Sequence, residues 1–226
     1  MDTDQRVIRR NGLLSRLTTA LVIVSAGLLI YGVWRENAPP GLADHWPWKL
    51  RLLDIQSAST ALVGSLGASL ARAQYARAVR PALGHFGRVT DGLAPEGRLA
   101  WTCHVVNGSQ DVAVVESLTY RMWLRGPTPP AGAREWVNHA ETLRALGAYG
   151  LSHRADFSLP SVGRGKPLLA QSPAPVGWFT EAALAVITEM HVRLRVTDRV
   201  GDTHERVMNL LRDVERIPER ADPPLF

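Results

Sequence analysis

The feature that most constrains this chain is an uncharged, largely apolar run from Leu17 to Trp34, close to its N-terminus. In a helix this run would be roughly 27 Å long at about 1.5 Å per residue, close to the thickness of the hydrocarbon core of a bilayer. Tyr31 and Trp34 lie at its C-terminal end, where amphipathic rings favour the membrane interface. The run therefore predicts a transmembrane helix over 17–34 and makes the lipid bilayer the first expected partner.

The basic residues before this run predict its orientation. The charged residues of the tail at 1–16 are Arg6, Arg9, Arg10 and Arg16 against Asp2 and Asp4. By the positive-inside rule, this basic N-terminal tail is expected in the cytoplasm of a cell whose membrane holds the helix. A cleaved signal peptide is the competing interpretation, because Gly-Leu-Ala at 41–43 has a small-x-small pattern. That site lies well past the apolar run, and the run is longer than a usual signal segment, so an uncleaved anchor is favoured.

A second uncharged segment, at 55–71, leaves the number of membrane crossings open. Its leucines recur every four residues, which predicts a weak transmembrane or amphipathic helix over 55–80 after a linker at 35–54. Its small residues, expected to face the first helix at Ala26 and Gly27, are Ser57, Ala61, Gly64, Ser65 and Ala68. A hairpin would place the C-terminal domain in the cytoplasm. A soluble helix after a single anchor would place that domain outside the cytoplasm.

Beyond Pro81 the hydrophobic pattern changes from helical to alternating. The predicted strands cover 99–105, 112–124, 156–159, 190–197 and 203–211, and the predicted short helices cover 134–147 and 181–187. Asn107-Gly108 is typical of a hairpin turn. The expected fold class is an N-terminal transmembrane helix or helical hairpin followed by a mainly-β antiparallel sandwich over 84–217. The proline-rich residues 218–226 are expected to form a flexible tail.

Three short motifs carry a resemblance to known proteins. They are Arg-Ala-Gln-Tyr-Ala-Arg-Ala-Val-Arg-Pro at 72–81, Val-Val-Asn-Gly-Ser at 105–109, and the turn from Asp198 to Gly201. With the apolar N-terminal segment, the chain resembles a broad group of uncharacterised bacterial membrane proteins, common in GC-rich, actinobacterial-type genomes. The resemblance implies an immunoglobulin-like sandwich after the membrane segment. It brings no catalytic or binding residue.

The sequence predicts no catalytic, cofactor-binding or metal-ligating set of residues. His104, His191 and His204 would form a metal or pH-sensitive cluster only if their strands were neighbours, and solvated strand histidines are favoured. Cys103 alternates with apolar residues and is expected to be buried. Glu116 interrupts the apolar face of its strand, which favours a β-bulge there.

The expected function is a membrane-anchored, non-enzymatic protein that presents its sandwich to another protein or to an envelope component. One alternative is a membrane-attached enzyme or accessory subunit whose site is assembled only in three dimensions. Another is a structural part of a larger membrane complex, with the small residues of 57–68 as the contact. The pI is near 10.0, but without a basic cluster interleaved with aromatic residues no nucleic acid partner is expected.

Overall fold

The chain divides into two compact units in a computed structural model that describes residues 3–37, 39, 53–125 and 135–223. A helical unit comprises Asn11–Ala78, and a β-unit comprises Met1–Arg10 together with Val79–Phe226. Most of the expected linker at 35–54 lies outside the described residues. The β-unit is thus built from two separate parts of the sequence, with the helical unit inserted between them.

The described part of the helical unit contains two packed helices, α1 (Gly12–Asn37) and α2 (Ile55–Ala78). Over Ser15–Asn37 the mean hydropathy of α1 is 2.0, so this helix is long and apolar enough to cross a membrane, and only 11% of that window is buried. It extends the predicted 17–34 at both ends. Among the described helices, α2 does not reach the same hydropathy.

Small side chains make the contact between α1 and α2. Ser25 and Gly32 on α1 and Ala58 and Ser65 on α2 are buried, whereas several larger apolar side chains of both helices are exposed. The exposed ones include Leu21, Ile23, Val24 and Ile30 on α1, and Val63, Leu66 and Leu70 on α2. The exposed apolar side chains of α1 agree with its length and hydropathy, which suffice for a membrane span.

The sequence predicted the wrong set of small residues for the contact of α2 with α1. Of its five members only Ser65 is buried, and a Cβ added at Gly64 or at Gly27 would meet no atom within 4 Å. The physical reason is the rotation of α2, which turns Ala58 and Ser65 towards α1 and leaves Gly64 outside. Leucines that recur every four residues mark one side of a helix, but they do not determine which side packs against the partner helix.

The β-unit contains two antiparallel sheets that enclose one apolar core. The five-stranded sheet has the order β1-β9-β8-β4-β6, and the four-stranded sheet has the order β2-β3-β7-β5. The strands are β1 (Arg6–Arg9), β2 (Leu83–Thr90), β3 (Ala100–Asn107), β4 (Ala113–Leu124), β5 (Phe157–Ser158), β6 (Pro167–Leu168), β7 (Pro173–Thr180), β8 (Ile187–Thr197) and β9 (Thr203–Asn209). Two short helices, α3 (His139–Ala148) and α4 (Glu181–Val186), complete the unit. The expected class, an apolar helix followed by a β-sandwich, is confirmed.

Both ends of the chain take part in the β-unit. β1 lies within the basic tail expected at 1–16 and pairs with β9, so that Arg6 is opposite Glu205 and Arg9 is opposite Thr203. Near the other end, where a flexible tail was expected, the backbone N–H of Val89 on β2 donates to the Asp222 carboxylate at 2.7 Å. The short sequence of β1 does not by itself predict a strand. The strand forms by pairing with β9, which lies almost two hundred residues away.

A β-bulge at Glu116 changes the phase of β4. The register with β8 shifts between Val115 and Ser117, as the sequence predicted for this position. Before the bulge, Ala113 and Val115 are buried, and the residues expected in the core, Val112 and Val114, are exposed. Beyond it, Tyr120 and Met122 reach the core as predicted.

The connection after β3 differs from the predicted hairpin. β3 and β4 belong to different sheets, so the chain crosses the sandwich at Asn107-Gly108. The side chain of Asn107 is fully buried and fixes this crossing, because its amide donates to the carbonyls of Asp111 and Leu168 at 2.7 and 3.3 Å. An Asn-Gly pair favours a tight turn without specifying whether the next strand joins the same sheet.

Candidate functional site

The outer face of the five-stranded sheet collects charged and aromatic side chains. On β8 the even-numbered residues from Met190 to Val196 are buried in the core, so the odd-numbered ones point outward. The strand register aligns Arg195 with Glu205 of β9, and Glu205 with Arg6 of β1. We call this surface the arginine face, defined by Arg6, Arg121, Arg193 and Arg195 with Trp123 and Trp136.

Arginines and aromatic rings alternate across this face in a continuous stack. The guanidinium carbon of Arg193 lies 4.7 Å from the ring centroid of Trp136, and that of Arg121 lies 4.7 Å from the same centroid. Arg121 also lies 4.9 Å from the ring of Trp123, which is 4.8 Å from the His191 ring. Guanidinium groups attract aromatic faces electrostatically, and partial burial strengthens that attraction. The stack therefore holds two cations against the outer face of the sheet.

Trp136 reaches the stack because its own segment pairs with β4. Val137 exchanges two backbone hydrogen bonds with Tyr120, of 2.9 and 2.8 Å. Tyr120 points into the core, so the neighbouring Trp136 is directed to the outer face. Asn138 is the N-cap of the helix α3 that follows, and its side chain forms a reciprocal capping box with that of Glu141. Together, the bridge and the cap fix Trp136 in position.

One carboxylate, that of Glu205, is enclosed by two arginines of the face. Its side chain is 2% exposed, and it accepts from Nε of Arg195 at 2.7 Å and from Nε of Arg6 at 3.1 Å. Burial alone would raise the pKa of Glu205, but the hydrogen bonds from Arg6 and Arg195 outweigh burial and hold the pKa below its ordinary value. Glu205 is thus ionised, and its negative charge is balanced by Arg6 and Arg195.

Within the ranges that the structure describes, the other two arginines form no ion pair with a carboxylate. Arg193 donates from Nε to the neutral hydroxyl of Thr119 at 3.1 Å, and the buried Nε of Arg121 has no hydrogen-bond partner among the described residues. Burial, followed by the positive charge of Arg195, lowers the pKa of Arg193. A second carboxylate, Glu189, lies at the end of the face and contacts His191 at 3.1 Å. The face therefore carries four arginines against two carboxylates, a surplus of positive charge.

The structure separates the histidines that the sequence considered together. His104 lies on the outer face of the opposite sheet, stacked on Phe86 with ring centroids 5.0 Å apart. His191 belongs to the arginine face. His204 is buried, and its Nε2 is 2.8 Å from Oδ2 of Asp198. Across the ranges that the structure describes, no group of three or more His, Cys, Asp or Glu could hold a metal ion.

Cys103 is buried, as predicted. Its Sγ lies 3.0 Å from the backbone oxygen of Leu210, which also accepts a hydrogen bond from the Trp101 indole. Burial raises the pKa of the Cys103 thiol. A nucleophilic cysteine needs a thiolate, and this environment disfavours the thiolate. Cys103 therefore joins the two sheets and has no chemical role that the structure supports.

The sequence contains only part of the signal for the arginine face. Arg193 and Arg195 alternate on β8, as do Arg121 and Trp123 on β4, and this alternation indicates a shared outer face. Arg6 and Trp136 come from segments with no strand pattern of their own, and only the fold brings them there. No protein-family model matches the chain, and no curated protein matches it significantly.

Proposed function

We propose that the protein is anchored in a membrane by the hairpin of α1 and α2, and that its β-sandwich binds another protein without catalysing a reaction. The observation that carries this proposal is the pairing of β1 with β9. β1 precedes the apolar helix and β9 follows both helices, yet the two strands are hydrogen-bonded neighbours in one sheet.

This pairing favours an even number of membrane crossings between Arg10 and Val79. A single crossing would place β1 and β9 on opposite sides of the bilayer, where they could not pair. The two helices contain 26 and 24 residues, so each would be about 36 to 39 Å long, enough for a hydrocarbon core of about 30 Å. The outward-facing leucines of α2 and its small-residue contact with α1 support the second crossing.

The charges at the ends of the hairpin support a cytoplasmic sandwich. Arg9 and Arg10 lie just before α1 begins, and Arg77 and Arg80 lie at the end of α2. Basic residues next to membrane helices favour the cytoplasmic side. The N-terminus and the sandwich are therefore proposed to lie in the cytoplasm.

We further propose that the sandwich is immunoglobulin-like. The sheet order β2-β3-β7-β5 corresponds to strands A, B, E and D of that fold, and the neighbours β9, β8 and β4 correspond to G, F and C. The helix α3 and the added edge strand β1 distinguish this chain from the plain arrangement. The resemblance to bacterial membrane proteins is supported by the same combination of apolar helix and sandwich.

The side chains that line the main depression of the β-unit support a binding role over an enzymatic one. An open depression of about 540 Å³ is lined by Arg98, Thr180 and Glu181. Its threonine hydroxyl donates to the backbone oxygen of Asp156 at 2.8 Å, and its arginine contacts the Asp156 carboxylate at 3.5 Å. No activated nucleophile with a neighbouring base lines this depression among the described residues.

Contact of the 57–68 face with other membrane helices stays a prediction.

Single-cysteine labelling of the full chain in intact cells tests the anchoring. In a Cys103→Ser background, a cysteine replacing Ala43 is expected to react with a membrane-impermeant maleimide added outside. A cysteine replacing Pro223 is expected to react only after the cells are permeabilised. External labelling of both positions, or recovery of the intact chain from the soluble fraction without detergent, would refute the proposed topology.

A further inference from the structure

We propose that the arginine face binds an acidic segment of a protein partner in extended conformation. This proposal deepens the binding role proposed above and rests on it, because it names the surface and the chemical class of the partner. It depends on three observations: the surplus of arginines, the contacts of Arg121 and Arg193 with tryptophan rings, and the spacing of arginines along the sheet.

The charge of the face is complementary to an acidic ligand. Glu205 is shared between Arg6 and Arg195, whereas Arg193 and Arg121 contact tryptophan rings and neither is paired with a carboxylate among the described residues. Two partly buried cations near each other repel, and a carboxylate bound beside them offsets that repulsion. The energetically favourable occupant is therefore an anion.

The spacing of the arginines fits an extended peptide. Arg193 and Arg195 are alternate residues of β8, so their Cα atoms lie about 6.6 Å apart along the strand. An extended acidic segment presents alternate side chains at the same interval. Guanidinium groups bind carboxylates through two parallel N–H groups, and stacking fixes the plane in which those groups lie.

The same geometry argues for a protein segment and against lipid headgroups. Attraction to anionic headgroups is typical of basic clusters directly beside a membrane helix or in pockets between such helices. Here the Arg195 side chain is 38% exposed, and the stack fixes Arg193 and Arg121 along the sheet. A peptide can lie directly on this surface and reach them, which a planar array of headgroups cannot do as readily.

Fluorescence anisotropy with the full chain tests the proposal. The protein is held in phosphatidylcholine nanodiscs, and the probe is a short fluorescein-labelled peptide of alternating Glu and Ser residues. Arg193→Gln is expected to weaken binding about tenfold, the effect of losing one charge-assisted contact. The matched control is Arg199→Gln on the β8–β9 turn, which removes the same charge from an exposed arginine and is expected to leave binding unchanged.

A second variant keeps the test decisive if Arg193→Gln disturbs folding. The Arg6 side chain is 72% exposed and lies outside the stack, so Arg6→Gln preserves the stack and is expected to weaken binding a few-fold. A peptide of alternating Gln and Ser should not bind. Equal affinities for Arg193→Gln, Arg6→Gln and the Arg199→Gln control would overturn the proposal.

Vesicles separate the proposed partner from a lipid. If phosphatidylserine vesicles displace the peptide and Arg193→Gln abolishes their binding, the face is a lipid site and the proposal fails. If they do not displace it, the acidic segment is supported. Neither outcome depends on the single-cysteine labelling at positions 43 and 223, which tests the anchoring. Failure of the peptide-binding proposal can therefore be distinguished from failure of the proposed anchoring.

Discussion

Replacing Glu205 with glutamine should destabilise the sandwich measurably. The change keeps the shape of the side chain but removes the charge that Arg6 and Arg195 surround. Charge-assisted hydrogen bonds contribute about 1.5 to 3 kcal/mol each. Because both arginines are more than a third exposed, water compensates much of the loss. We expect a decrease of about 2 kcal/mol in the free energy of unfolding, since glutamine retains one acceptor.

A thermal melt followed by near-ultraviolet circular dichroism measures this effect in the detergent-solubilised full chain. For a domain of this size, about 2 kcal/mol corresponds to a fall of roughly 4 to 8 °C in Tm. The matched control is Glu189→Gln, which neutralises an exposed carboxylate on the same face and should change Tm by about 2 °C or less. Equal shifts for the two variants would refute the reasoning about Glu205.

The stabilisation that Glu205 provides should depend on pH in a defined direction. The pKa of Glu205 is lower in the folded protein than its ordinary value of 4.5. The ionised carboxylate therefore contributes its full stability above that ordinary value, and the contribution is lost as the pH falls through the lowered pKa. The difference in Tm between the wild type and Glu205→Gln should be largest at neutral pH and should narrow below about pH 4.5. A constant difference down to strongly acidic pH would contradict this account.

Three further tests address the packing of the sandwich. Gly87→Ala places a Cβ in steric conflict with the Trp101 ring and should lower the unfolding free energy by about 2 kcal/mol, measured by urea denaturation, whereas Gly163→Ala meets nothing within 4 Å and should be neutral. Cys103 is buried and should react with a thiol reagent only after denaturation; rapid reaction in the native protein would contradict its burial. Asp198→Ala removes the acceptor of two backbone N–H groups and should cost about 2 to 4 kcal/mol in the same denaturation assay; a change below about 0.5 kcal/mol would contradict that role.

The elements that the sequence predicted correctly are those whose signal is local. β8 alternates apolar and polar residues and is followed by a compact turn beginning at Asp198, after which the chain returns as β9, so each part of that pattern is present within a few residues. The apolar stretch of α1 is equally local, because its composition alone determines its length. These signals predicted the fold class and most of the five-stranded sheet.

The elements that the sequence did not predict depend on distant partners. β2 contains Gly87, and this glycine is required because the Trp101 ring occupies the space beside it. β1 is a strand only because β9 provides its neighbour. For the same reason the arginine face was not predicted as a unit, since Trp136 reaches it through the bridge between Val137 and Tyr120.

The pairing of β1 with β9 has a consequence for synthesis of the chain. Residues 6–9 leave the ribosome long before their partner at 203–209 is translated. In the interval both apolar helices emerge and, on the proposed topology, enter the bilayer. The edge of the five-stranded sheet is then completed only after both helices have been made. A variant that lacks residues 1–10 would leave β9 as an open edge, a template for aggregation.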